Sequence, residues 1–307
     1  MAVYTKITAE EISAHLRNYS LGEFISYKEI LDGIDNSNFI LETTSGKFIF
    51  TIFEARIDKN ALPFFMDFKL HLAKKGISCP CPMLDNKGVA IVDFKNKKSS
   101  IVSFLPGKST QKITENQCFE VGKFLAQMHL AAADFSGRRE NELGVKGFRP
   151  LFSKFEHLLE NYQKNLRTEI LETLDFLESN WRFDLPEAVT HLDFFPDNVF
   201  FDENEKLSGA IDFYFSANDA LIYDFAVTMV AWLDCEEKFL QLFYGYESVR
   251  KFSESEKDFL KIALIGASMR FLLTRLHDMF FTPKDSLVKI KDPQEYLKKL
   301  RFFKAQL

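Results

Sequence analysis

Four cysteines in 307 residues set the first limit on this chain. Cys79, Cys81, Cys118 and Cys235 show no zinc-ligand spacing, since Cys79-Pro80-Cys81 is too tight for the usual ligand pair. Thiols so few and so spaced argue against a disulfide-stapled scaffold and fit unpaired side chains in a reducing compartment. Long apolar runs are lacking too. Although 46% of residues are hydrophobic, no run approaches the ~20 residues of a membrane span. Residues 1–6 have neither the charged start nor the apolar core of a secretory leader, so the expected location is cytoplasmic, with no membrane partner. Charge of one sign is scarce. With 39 basic residues well mixed among 44 acidic ones, the net charge is -5, which argues against the basic footprint of a nucleic-acid binder. The run Lys298-Lys299-Leu300-Arg301 reads as the solvated face of a terminal helix.

Phenylalanine is abundant, at 34 residues, and reads as core filling in a chain long enough for two lobes. Up to about residue 105 the pattern favours short strands. Thr8-Ala9-Glu10-Glu11 predicts a capping box that opens a helix to about Asn18. Residues 38–43 and 47–53 predict a hairpin around Ser45-Gly46, and 89–94 with 99–104 a second strand pair across Asn96-Lys97. Leu62-Pro63 starts a helix that Gly76 ends. Beyond Pro106-Gly107 the period turns helical. Cys118, Val121, Leu125, Met128 and Ala132 mark one face, and Phe155, Leu158, Tyr162 and Leu166 another. Ser253-Glu254-Ser255-Glu256 caps the segment holding Arg270 and Arg275.

The most informative stretch runs from Thr190 to Phe201 and is followed by Ile211-Asp212-Phe213. In phosphoryl transfer from a magnesium nucleotide, one Asp accepts the proton of the attacking hydroxyl. An Asn five positions later ligates a metal, and a second Asp ligates the metal that bridges the phosphates. Asp193 and Asn198 have that offset, and Asp212 follows after a plausible hairpin. Apolar 199–201 and 210–211 predict buried strands that deliver these groups. Asp and Asn before Pro are also common turn formers, but that reading leaves three metal-competent side chains in order unexplained.

On these residues the chain resembles the aminoglycoside phosphotransferase-like kinases, whose loop reads His-Gly-Asp-x-x-x-x-Asn. Within them it is most similar to the homoserine kinases of this fold. The similar stretches are 33–39, 50–54, 62–65, 191–201, 211–215, 270–276 and 292–297. The resemblance implies an α+β, bilobal protein-kinase-like fold. Residues 1–105 would form a β-rich nucleotide-binding lobe, and 106–307 a mainly helical catalytic and substrate lobe. It also implies ATP and Mg2+, with L-homoserine phosphorylated to O-phosphohomoserine. Two positions depart from the wider pattern. Leu192 stands where a small residue is usual, and Thr51 stands where most such kinases carry a phosphate-contacting Lys. Homoserine kinases are expected to share that Thr, which leaves open what neutralises the phosphates. Lys47 lies about 13 Å along the strand, and Arg56 and Lys59 stay equally open.

The expected roles follow from the chemistry. Asp193 is the base; Asn198 and Asp212 hold the metal through oxygen. His191 organises the loop, and Asp224 either braces it or caps a helix. Gly33, Asn36, Ser37 and Asn38 are read as a nucleotide-covering turn between two strands, with a plain hairpin loop as the competing reading, Thr51 on the third strand and Phe104 in a hinge for adenine. A zwitterionic substrate needs a cation and an anion. Arg270 or Arg275 would meet its carboxylate, and Asp219 or Asp278 its ammonium, with ordinary surface ion pairs as the competing reading for each. Trp232 is expected in the core. The alternatives are a kinase for another small hydroxyl compound (choline, an aminoglycoside or a sugar derivative), or a catalytically silent nucleotide-binding protein.

Overall fold

The structure is a computed structural model that describes residues 5–31, 36–54, 58–110, 112–232, 236–283 and 290–306. It divides into two compact units, Met1–Lys108 with Ser208–Tyr214, and Ser109–Leu207 with Phe215–Leu307. The division falls three residues beyond the expected boundary and assigns the stretch around Asp212 to the first unit. Local bonds explain the assignment: Ala210 donates its amide to the Ser78 carbonyl at 3.1 Å, and Ser208 donates its hydroxyl to the Pro106 carbonyl at 2.7 Å.

In the first unit, α1 (Ala9–Leu16) opens on the predicted capping box, with Thr8 and Glu11 exchanging side-chain and backbone bonds. Strands β1 (Phe24–Ile30), β2 (Asn36–Thr43) and β3 (Gly46–Phe53) precede α2 (Leu62–Lys74), and β4 (Val92–Phe94) and β5 (Lys97–Ser103) follow. They form one antiparallel sheet in the order β1-β2-β3-β5-β4. Ile12 and Leu16 pack on alternate residues of its inner face, Phe39, Leu41, Phe50, Ile52 and Ile101, as period-2 patterning requires. The strand expected over 89–94 starts only at Val92. The carboxylate of Asp85 accepts the amides of Lys87 and Val89 and holds residues 85–89 in a turn. Lys95 and Asn96, both at positive φ, make the two-residue hairpin turn into β5.

The second unit contains α3 (Glu115–Ala132), α4 (Val145–Ser153), α5 (Leu159–Tyr162), α6 (Leu166–Asn180), β6 (Glu187–Thr190) and β7 (Val199–Phe201). Strand β8 (Leu207–Ala210) leads into the first unit, and the chain re-enters the second through β9 (Ala217–Ala220). It continues as α7 (Leu221–Trp232), α8 (Glu236–Glu247), α9 (Glu254–Phe281) and α10 (Gln294–Lys304). The predicted face of α3 is buried at all five positions. The stripe at 155, 158, 162 and 166 is instead divided between short pieces, because Asn165 turns left-handed (φ 65°) and restarts the chain as α6. Helices α3 and α8 approach so closely that a Cβ on Gly122 would lie 2.0 Å from the Leu242 carbonyl oxygen. One on Gly245 would lie equally near that of Phe119.

Candidate active site

Strand β6 pairs with β9 in antiparallel register, Thr190 opposite Ala217 and Ala188 opposite Asp219, and releases the chain at His191. Leu192 then adopts φ 62° with its side chain fully buried. A left-handed leucine costs roughly 1–2 kcal/mol, which accounts for glycine being usual at this position. The turn aims two consecutive amides at one carboxylate. Asp224, on the first turn of α7, accepts the His191 N–H at 3.0 Å and the Leu192 N–H at 2.7 Å. Its Oδ2 also takes the Nε2 of His129 from α3, at 3.0 Å. Burial pushes the Asp224 carboxyl up, but the hydrogen bond from His129, the neighbouring His129 and His191 imidazoles and the Leu192 amide outweigh it, leaving it below its ordinary value. Asp224 therefore braces the loop from inside a helix and does not cap one.

His191 is buried, and its Nδ1 accepts the Asp193 amide at 3.2 Å. Asp193 is half-buried. Asn198 reaches back from a short 3-10 turn, Pro196–Asn198, and donates its amide nitrogen to the Asp193 carbonyl at 2.9 Å and to Asp193 Oδ2 at 3.0 Å. That geometry leaves Asn198 its carbonyl oxygen as the outward acceptor. Trp232 is in the core as expected and donates Nε1 to the Phe194 carbonyl at 2.6 Å, locking the loop from beneath. Asp212 lies in the first unit, exposed, at φ 62° just beyond β8.

One expectation about the first unit changes. Asn36, Ser37 and Asn38 are strand residues of β2 and not part of a turn, and their side chains are engaged within the sheet. Asn36 accepts the Glu54 amide at 3.3 Å, Ser37 donates to Glu54 at 2.7 Å, and Asn38 accepts the hydroxyl of its cross-strand partner Thr51 at 2.8 Å. Gly33 and Arg56 lie outside the described residues. Phe104 is exposed beyond β5, and no hydrogen bond to the backbone of Phe104 or Leu105 is found among the described residues. Lys47 and Lys59 are exposed. Sequence reading missed Lys69, an ammonium buried on α2, 5.4 Å from the centre of the Tyr214 ring. Burial lowers it to about 8, against the opposing pull of Cys79, Asp212 and Cys81. Its helical spacing made it look like any solvated lysine.

The two arginines of α9 separate. Arg275 stacks over Tyr296 at 4.3 Å and bonds the Glu295 carboxylate at 2.7 Å and the Asp292 carbonyl at 2.8 Å. Arg270 is 2% exposed; among the described residues its buried Nε and Nη1 make no hydrogen bond, and its guanidinium lies beside the buried Tyr223 hydroxyl. No carboxylate lies within ion-pair distance of it among the described residues. Phe215 and Phe271 flank its guanidinium, at 5.8 and 5.1 Å. The buried Tyr296 hydroxyl, without a hydrogen bond among the described residues, feels the charges of Arg275 and Glu295 first and then those of Asp193 and Arg270. Asp219 lines a cavity of about 160 Å³ with Asn141, Lys146, Trp181 and Phe183. It accepts from Asn141 at 2.6 Å and from the Ala220 amide at 2.8 Å. Burial raises it to about 6, while Asn141, the Ala220 amide and the Arg270 charge pull it down. Asp278 is exposed on the far part of α9 beside His277.

Residues 26–251 match the family described as the phosphotransferase enzyme family, APH. The homoserine kinase of Xanthobacter autotrophicus is 45% identical over 313 residues, spanning 99% of this chain and 97% of that one. Among solved structures, a spectinomycin phosphotransferase bound to ADP and spectinomycin superposes with a TM-score of 0.70 at 15% identity. It covers 98% of this chain and 95% of its own. An amicoumacin kinase bound to AMP-PNP, Ca2+ and amicoumacin gives 0.69 at 15% identity, with 97% and 92% covered.

Proposed function

The chain belongs to the phosphotransferase enzyme family, and on that premise we propose that it transfers the γ-phosphoryl of ATP to the side-chain hydroxyl of L-homoserine. One observation carries the choice of substrate: the guanidinium of Arg270 is buried with two donors unmet. A buried cation with unsatisfied donors is strongly destabilising unless a ligand completes it. A carboxylate matches its fork. Asp219, close enough to feel the Arg270 charge, supplies the anion for the substrate ammonium, and the Tyr296 hydroxyl offers a further contact. Choline has no carboxylate for such a fork.

Asp193 orients the homoserine hydroxyl and accepts its proton as the phosphoryl leaves ATP. Asn198 holds the Asp193 Oδ2 in place, which orients the carboxylate for this role. Mg2+ would be held by the Asn198 carbonyl oxygen and the Asp212 carboxylate. Both are hard oxygens, and a two-ligand set suits an ion that keeps waters and phosphate oxygens in its shell. When bound, it neutralises charge on the phosphates. The backbone of Phe104 and Leu105, free of internal partners among the described residues, receives the adenine edge. Thr51 and the β2 side chains Asn36, Ser37 and Asn38 shape the sheet under the nucleotide.

A coupled ADP-release assay with homoserine, serine, threonine, choline and kanamycin tests the reading. Homoserine should give the highest kcat/KM by at least tenfold. Faster turnover of choline or kanamycin would overturn it.

A further inference from the structure

Asp224 holds the strained turn at Leu192, but a buried carboxylate is only as well placed as its other partner, His129. That ring is itself held. Its Nδ1 lies 2.7 Å from the hydroxyl of Tyr246 on α8. Arg250, just beyond α8, donates Nη1 to the same hydroxyl at 3.3 Å, and its Nη2 pairs with Glu256 at 2.9 Å. Glu256 belongs to the capping box of α9, where its Oε2 accepts the Ser253 amide at 2.9 Å and the Ser253 hydroxyl at 3.0 Å. Every member from Glu256 to Asp224 is buried or nearly so.

Donor chemistry gives this chain one direction. A guanidinium can only donate, so the Tyr246 oxygen accepts from Arg250, and the hydroxyl proton is left to point at His129 Nδ1. An ionised carboxylate can only accept, so His129 must carry its proton on Nε2. We propose that Tyr246 and Arg250 are positioning residues for phosphoryl transfer. They fix His129 as the Nε2–H tautomer, and His129 in turn fixes Asp224, the amides of His191 and Leu192, and through them Asp193. The packing suits the task. Tyr246 stacks on Phe252 with centroids 4.4 Å apart and planes 4° from parallel. The glycine crossing of α3 and α8 sets the spacing between the helix that bears His129 and the helix that bears Tyr246.

The proposal rests on Asp193 as the base, and its test separates the two. The full-length chain is prepared as wild type, Tyr246→Phe, Arg250→Met and Asp193→Asn. Steady-state kinetics are measured on each, together with the imidazole 15N and 1H resonances of His129. Tyr246→Phe retains the ring stacking, so folding is preserved. It should lower kcat about tenfold, the worth of one net hydrogen bond, with both KM values within twofold, and it should shift the His129 Nδ1 resonance. Arg250→Met, at the outer end of the chain, should act in the same direction more weakly. Asp193→Asn should lose turnover with the His129 resonances unchanged. The relay is overturned if Tyr246→Phe turns over like wild type, if kcat falls while His129 is unchanged, or if wild-type His129 is an imidazolium or the Nδ1–H tautomer. Full turnover by Asp193→Asn would instead overturn the base assignment.

Discussion

Asp193 receives a hydrogen bond on one oxygen and sits on a loop whose backbone is fixed by Asp224, so its replacement should affect chemistry more than binding. Asp193→Asn is expected to lower kcat by about 10²- to 10⁴-fold, with the ATP dissociation constant in equilibrium titration largely unchanged. Arg270 and Arg275, five residues apart on one helix, point about 140° apart around its axis, and of the two only Arg270 has buried donors without a hydrogen bond among the described residues. Arg270→Met should raise the homoserine KM by the equivalent of about 2–5 kcal/mol and leave the ATP KM unaffected. Arg275→Met, which removes an ion pair to Glu295, should leave both KM values within a few-fold, and steady-state kinetics across homoserine concentrations would show it. Asp219 titrates in the folded chain at about 6 against an ordinary 3.8. Its ionised form binds the ammonium, so the homoserine KM should climb as pH falls below about 6. The same raised value means that the folded chain retains this proton between about pH 4 and 6, and stability declines as pH rises through that window. Asp219→Asn should abolish the pH dependence and raise KM about tenfold or more, the worth of a charge-assisted hydrogen bond.

Among the elements, the crossing of α3 and α8 is the tightest constraint. A methyl group at Gly245 would overlap the Phe119 carbonyl, and backbone on both sides gives it no flexible atom to displace. Gly245→Ala should therefore separate the helices and lower stability by about 1–3 kcal/mol or more, read as a fall in Tm. By lengthening the Tyr246–His129 contact it should also lower kcat. Helix beginnings were legible locally: Thr8 with Glu11, Thr114 with Gln117 and Ser253 with Glu256 all form reciprocal boxes. Only the first and last of these were read from sequence. The stripe at 155–166 misled because helical spacing survives in a chain that Asn165 breaks, and one residue at positive φ leaves little trace in a hydrophobic pattern.

At the scale of the molecule, Lys69 is the clearest cost to stability. A depression from 10.5 to about 8 on a fully enclosed ammonium corresponds to about 3 kcal/mol between its protonation states. The folded value is the lower one, so the penalty is fully present below about pH 8 and fades as pH rises toward 10.5. Lys69→Met should therefore raise Tm at pH 7, with a gain that shrinks by pH 10, as calorimetry at the two pH values would measure. No helix among the described residues is long and apolar enough to cross a membrane.

What the sequence determined by itself was everything that depends on residues near one another along the chain. The offset of Asp193 and Asn198, the later Asp212, the capping boxes and the alternation of β2 and β3 are local patterns, and local patterns survive being read in one dimension. Only the tertiary structure decided which arginine is buried without partners, because five residues of helix separate two environments that share one composition. It also decided that Asn36 and Ser37 are engaged within the sheet, since Glu54 reaches them from the end of the next strand. His129 and Tyr246 stand 117 residues apart, each an unremarked polar residue on an apolar helix face. Their meaning comes from a crossing of α3 and α8 that no spacing in the sequence encodes. Hydrogen-bond partners of buried groups are chosen by distance in space, and that distance exists only once the chain has folded.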